Sequence, residues 1–234
     1  IPWEDVFIYR DPARVLSFFP RSGFIHGAQF QGCTRFAVKL DFIVGLLAKA
    51  LRCTGGDDAR GNQALLGEAV AWRHLFWSLS NAMAHNPDPW KGDAVLPAMK
   101  AGQSYRVFAA DAYPRIKEIV ERTVTSGLIY LPSSAKDFAN PAIDPYLRQY
   151  VRGSHGIEYK ERIKIMKLLW DCVGTEFGGR HELYERNYAG GWEDVRIQTL
   201  TGAEKGGDMA KMEALVDQCM SEYDENGWTG DTWA

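Results

Sequence analysis

Along residues 3–9, Val6 and Ile8 alternate with Phe7 and Tyr9 before Arg10-Asp11-Pro12 closes the run, which predicts one strand. Beyond it the period changes. Phe36, Leu40, Ile43, Leu47 and Leu51 recur at steps of three and four, as on one face of a helix, and Gly55-Gly56 stops them. Leu65, Ala69, Trp72, Phe76, Leu79 and Met83 repeat that spacing until Asn86-Pro87-Asp88-Pro89 breaks it. A further stripe runs through Tyr105, Phe108, Ala112, Ile116 and Ile119, with Pro114 expected to kink the helix or mark its start. Shorter stripes follow at Ile163, Met166, Trp170 and Val173, and at Met209, Met212, Val216, Cys219 and Tyr223. These patterns predict helices near 28–53, 62–84, 102–125, 159–173 and 208–224, with little strand after the first nine residues. The fold class is therefore mainly α, a helical bundle.

Composition narrows the partners. The chain has 234 residues, 46% of them hydrophobic, enough for a sizeable core, and its formal charge of -3 supplies no basic excess for nucleic acid or anionic lipid. No apolar run approaches the ~20 residues that cross a bilayer. Cys33, Cys53, Cys172 and Cys219 are widely spaced, and no secretory leader precedes them, so a reducing cytoplasm is expected. Because the chain opens on Ile1-Pro2-Trp3, we expect a piece whose beginning is missing. No internal repeat or low-complexity tract stands out. The segment 127–150 carries Pro132, Pro141 and Pro145, and a connection that long is expected to line a site or a subunit contact.

Two segments are the candidates for chemistry. Thr125, Ser126, Gly127 and Leu128 follow a helix, where small hydroxyl side chains and free amides approach a flavin or phosphate closely; a glycine C-cap with a turn is the alternative. Gly174, Thr175, Glu176, Phe177, Gly178, Gly179 and Arg180 form a glycine-rich run ending in a residue that grips diphosphates or carboxylates through paired donors. Neither a Walker loop nor a Rossmann fingerprint is present. Here the alternative is a helix stop whose Arg180, Glu182, Glu185 and Arg186 make solvated ion pairs.

Several runs then carry a resemblance: Cys33-Thr34-Arg35-Phe36-Ala37-Val38-Lys39-Leu40-Asp41-Phe42-Ile43, the stretch 125–134, Tyr150-Val151-Arg152-Gly153-Ser154, the stretch 174–187 and Ser221-Glu222-Tyr223-Asp224. In this order, and over essentially the whole chain, they resemble the oxygenase component of 4-hydroxyphenylacetate 3-monooxygenase. The resemblance implies an acyl-CoA-dehydrogenase-like plan, with residues 1–10 as the last strand of a missing central β domain and 11–234 as the C-terminal helical domain. It implies a dimer or tetramer, a separate reductase that delivers reduced FAD, a flavin hydroperoxide, and ortho-hydroxylation of a phenolic substrate. The two glycine-bearing segments become cofactor-binding candidates. The family's catalytic Arg, Tyr and His lie in the N-terminal and middle portions, so no catalytic residue is expected here and the chain alone should be inactive.

His26 and Cys33, seven apart, resemble two cluster ligands of 4-hydroxybutyryl-CoA dehydratases, which leaves a flavin lyase as a second reading. A purely structural oligomerisation domain is a third. A packed thiol is the expectation for Cys33, and without CxxC or HExxH no metal site is expected. His155 stands where relatives often carry Asn and is given no role.

Overall fold

The computed structural model describes residues 1–229. They divide into two compact units, 1–190 and from Gly191 onward. In the first, α1 (Pro12–Ser22) leads through Gly23 into α2 (Phe24–Thr54), followed by α3 (Arg60–His85), a two-residue ladder of β1 (Asp88–Pro89) with β2 (Val95–Leu96), and α4 (Met99–Val124). Two 3-10 turns (Thr125–Leu128, Ala135–Ala139), α5 (Asp144–Tyr150), α6 (Tyr159–Val173) and α7 (Glu176–Asn187) complete it. The second unit pairs α8 (Trp192–Lys205) with α9 (Asp208–Ser221) and ends in the hairpin of β3 (Tyr223–Asp224) and β4 (Gly227–Trp228).

The central bundle is α2, α3 and α4, with α6 against α2. Its core holds the expected stripe of α2: Phe36, Leu40, Ile43, Leu47 and Leu51 are all buried. Phe76 of α3 lies edge-on to Phe36 at 4.6 Å and meets Tyr105 of α4 at 6.3 Å. Ala69 and Met83 are buried with it, while Leu65, Trp72 and Leu79 pack on the core's margin. At the end of α2, Gly55 takes the left-handed conformation (φ 73°), so that the amides of Gly55 and Gly56 reach back to the carbonyls of Arg52 and Leu51. That is the stop read from the glycine pair. Pro114 sits inside α4 and is not its start, because α4 begins at Met99.

Three local expectations differ. Residues 3–9 carry a 3-10 turn at Trp3–Asp5 and join neither two-strand ladder, so their alternation finds no pairing partner among the described residues. Residues 176–180 belong to a helix and not to a loop: the Thr175 hydroxyl caps α7 by accepting from the Gly178 amide at 3.3 Å, and this local bond outweighs the poor helix propensity of two glycines. The helix expected over 208–224 forms as α9, but its stripe is not a core, for Met212 and Val216 are more than half exposed. No helix of the described residues is long and apolar enough to cross a membrane.

Candidate functional site

Helix α6 stands behind both candidate segments. Near its middle, Met166 lies under Gly127, where a Cβ would come within 2.9 Å of the Met166 Cε. At its end, a Cβ on Gly174 would strike the Trp170 ring, and one on Gly178 would come within 2.7 Å of the Cys172 carbonyl oxygen. Gly178 is thus required by the packing of α7 on α6, and Gly174 by the Trp170 ring in the last turn of α6 itself. Gly179 has nothing within 4 Å of an added Cβ and faces open space.

The two segments line different clefts. Thr125, Ser126 and Gly127 border one of about 500 Å³, with Thr54, Tyr150 and Arg162 opposite. Thr125 has φ 49°, a conformation that costs a β-branched residue about 1–3 kcal/mol. Leu128 turns into the core, so only its backbone is available to a ligand.

Phe177 and Arg180 of α7 border the other cleft, of about 620 Å³, with His181 and Tyr184 beside them and Arg35 and Lys39 of α2 across from them. Phe177 packs edge-on to His181 at 4.3 Å and is largely exposed. Arg180 has no carboxylate at ion-pair distance among the described residues: Glu182 is taken by Lys117 (2.8 Å) and Arg186 (3.4 Å), and Glu185 by Arg35 and Lys39. The solvated pairing of Arg180 considered from the sequence is therefore absent, which leaves its guanidinium to the cleft.

Behind these cations Glu185 is fully buried, accepting from Nη1 of Arg35 and Nζ of Lys39 on one oxygen and from Nη2 of Arg35 at 3.1 Å on the other. Burial works against charge on Arg35, but the Glu185 carboxylate outweighs it and raises the guanidinium pKa. For Lys39, burial wins over the same carboxylate and the ammonium pKa is lowered. The Lys39 ammonium donates to Nδ1 of His181 at 2.8 Å, so that imidazole nitrogen is an acceptor; burial and then the Lys39 charge hold the His181 pKa down. The arrangement can hold an anion at the cations and a flat apolar group at Phe177 and Tyr184.

Arg35, Lys39, Tyr184 and Glu185 were not among the sequence candidates. Their signal was the i, i+4 pair Arg35/Lys39 beside the buried positions Phe36 and Leu40, where two cations are out of place unless a carboxylate meets them. His26 and Cys33, weighed as metal ligands, each have a packing partner: Nδ1 of His26 lies 2.8 Å from the Pro97 carbonyl, and Cys33 donates its thiol to the Phe76 carbonyl at 3.3 Å. Burial pushes the Cys33 thiol up to about 12. His155 lies 3.0 Å from Asp57, with Asp58 nearby, at an exposed turn.

Comparison with known proteins gives these clefts a context. Residues 15–217 match the family described as 4-hydroxyphenylacetate 3-hydroxylase C terminal. The chain is 58% identical, over 98% of its length, to a 4-hydroxyphenylacetate 3-monooxygenase oxygenase component of Pseudomonas aeruginosa, and 56% identical, over 98%, to one of Escherichia coli. It spans 44% of the length of each of these relatives. Among solved structures, the oxygenase component (HpaB) of 4-hydroxyphenylacetate 3-monooxygenase complexed with FAD and 4-hydroxyphenylacetate superposes with a TM-score of 0.85 at 26% identity, covering 96% of this chain and 46% of that one. An archaeal 4-hydroxybutyryl-CoA dehydratase shares the fold at a TM-score of 0.78 and 19% identity. The chain belongs to the 4-hydroxyphenylacetate 3-hydroxylase C-terminal family.

Proposed function

We propose that this chain is the flavin-holding helical part of an oxygenase that hydroxylates a phenol ortho to its hydroxyl with reduced FAD and O2. The observation that carries the reading is the cleft of Arg35, Lys39 and Arg180 walled by Phe177 and Tyr184, in a chain of this family. Residues of both candidate segments fit parts of a dinucleotide. Arg180 and the amides at the start of α7 suit its phosphates, and the hydroxyls of Thr125 and Ser126 suit a polar edge of a ring or ribose. Gly179 leaves the backbone bare at the start of α7.

Bound FAD supplies the oxygen chemistry. The chain's own residues bind and orient it: the cations hold charge, and the exposed faces of Phe177 and Tyr184 offer stacking area that sheds water on binding. The catalytic Arg, Tyr and His expected from the family have no counterpart here, so the reading includes a partner segment that supplies them, a separate flavin reductase, and assembly of the enzyme as a dimer or tetramer in the cytoplasm. A flavin lyase reading gains nothing from Cys33, whose thiol is buried and bonded to Phe76.

Anaerobic titration of the chain with reduced FAD tests the proposal. Binding is expected, with Arg180→Ala raising the dissociation constant about tenfold for the loss of one charge-assisted contact. No binding by the wild-type chain, or equal affinity in the variant, would discard the assignment of the α7 cleft.

A further inference from the structure

Three cations border the α7 cleft, yet the one carboxylate that pairs with them is turned away from it. The Glu185 side chain is wholly buried, whereas those of Arg35 and Lys39 are 25% and 17% exposed and present their charge at the cleft. The Arg35 guanidinium is also fixed by rings, 4.6 Å from the centroid of Tyr184 and 5.0 Å from that of Tyr188, and its Nε is buried without a hydrogen-bond partner among the described residues. Setting Arg35, Lys39 and Arg180 against Glu185, three cations and one anion, leaves two uncompensated positive charges facing an open cleft. The acceptor role of His181 toward Lys39 adds no further cation.

We propose that Glu185 is a positioning residue that sets Arg35 and Lys39, together with Arg180, as a receptor for a doubly charged diphosphate group. This rests on the flavin reading above, in which the group is the bridge of the dinucleotide. Removing a buried carboxylate raises the positive field of the cleft, and field alone would tighten anion binding. Positioning predicts the reverse. Without Glu185, Lys39 keeps its burial and the repulsion of Arg35 and loses the group that favours its proton. The remaining groups around it are Tyr113 of α4, Cys172 of α6, and His181 and Tyr184 of α7, none of which is an anion at neutral pH. Lys39 then titrates nearer neutrality, and Arg35 loses both of its fixed acceptors and its aim.

Titrating inorganic pyrophosphate into the chain by calorimetry, from neutral to alkaline pH, reads both effects. In Glu185→Gln, affinity near neutrality is expected to fall about tenfold, and the alkaline limb of the binding profile to move to lower pH. Glu185→Asp, which restores the charge, is expected to move that limb back. Equal or tighter binding in folded Glu185→Gln, or an unmoved limb, would overturn the proposal. Should Glu185→Gln not fold, Lys39→Met replaces it: the limb due to Lys39 is expected to vanish, and its persistence would overturn the assignment. Competition separates this proposal from the flavin reading. ADP is expected to displace pyrophosphate and riboflavin is not. FAD binding that pyrophosphate does not compete with would end the diphosphate assignment and leave the flavin reading standing. Pyrophosphate binding that depends on Glu185, in a chain to which FAD does not bind, would uphold the receptor and end the flavin reading.

Discussion

Nζ of Lys39 lies 2.8 Å from Nδ1 of His181, joining α2 to α7 across the mouth of the charged cleft. An ammonium on that nitrogen forbids a proton there, so the pair sets a direction for the response to acid. His181 titrates below its ordinary value of about 6.5, chiefly through burial and then through the Lys39 charge. The unfolded chain therefore takes up the proton more readily than the folded one. The stabilising contribution of neutral His181 is fully present above about pH 6.5, the value of the unfolded chain, and is lost as pH falls from there through the lower value of the folded chain. Thermal unfolding followed from neutral to mildly acidic pH should show a smaller drop in midpoint for His181→Gln than for the parent chain. Parallel curves would place the acid response elsewhere.

Phe76 is expected to dominate the stability of the bundle. It is fully buried between Phe36 and Tyr105, so Phe76→Ala should cost about 3–5 kcal/mol in chemical denaturation. Trp72, one turn earlier and only partly buried, should cost less when truncated. Equal losses would mean that Trp72 is covered by something more than this chain.

The glycines of α7 separate packing from binding. Gly178→Val places side-chain atoms against the Cys172 carbonyl and should lower the unfolding midpoint through a shift of α7 on α6. Gly179→Val meets nothing within 4 Å, so it should leave the midpoint nearly unchanged and weaken reduced-FAD binding if the backbone there meets the ligand. A Gly179→Val chain that is stable and binds normally would show that Gly179 is required by neither, and would end its assignment to the cofactor site.

Arg115 forms a paired contact with Glu68 at 2.6 and 2.7 Å and reaches Glu118 at 2.7 Å, yet these side chains are about a third to a half exposed. Arg115→Ala should change stability little, and less still in high salt. A larger loss, insensitive to salt, would point to packing of its aliphatic stem.

What could be read from the sequence was what repeats. The α2 stripe from Phe36 to Leu51 and its stop at Gly55-Gly56 are local signals, and they appear as expected. The start of α7 was hidden because its signal is one hydroxyl, Thr175, against two glycines that argue for a loop. The meeting of Arg35 and Lys39 with Glu185 spans about 150 residues of chain, and no periodicity reports a contact at that separation. The family resemblance covered both helical segments of that contact without indicating that they touch. The strand expected at residues 3–9 failed for a related reason: alternation describes a face, whereas a strand also needs an edge to pair with.

Helix α6 acts as a ruler. Met166 underlies the turn at Gly127, and Trp170 and Cys172 underlie Gly174 and Gly178, so one rigid rod sets the spacing of the two clefts. Each residue of an α-helix advances about 1.5 Å and turns about 100°. A residue inserted between Met166 and Trp170 would thus displace one cleft from the other and swing its supporting side chain around the rod. Loops at either end can vary in sequence without changing that spacing, but the length of α6 cannot.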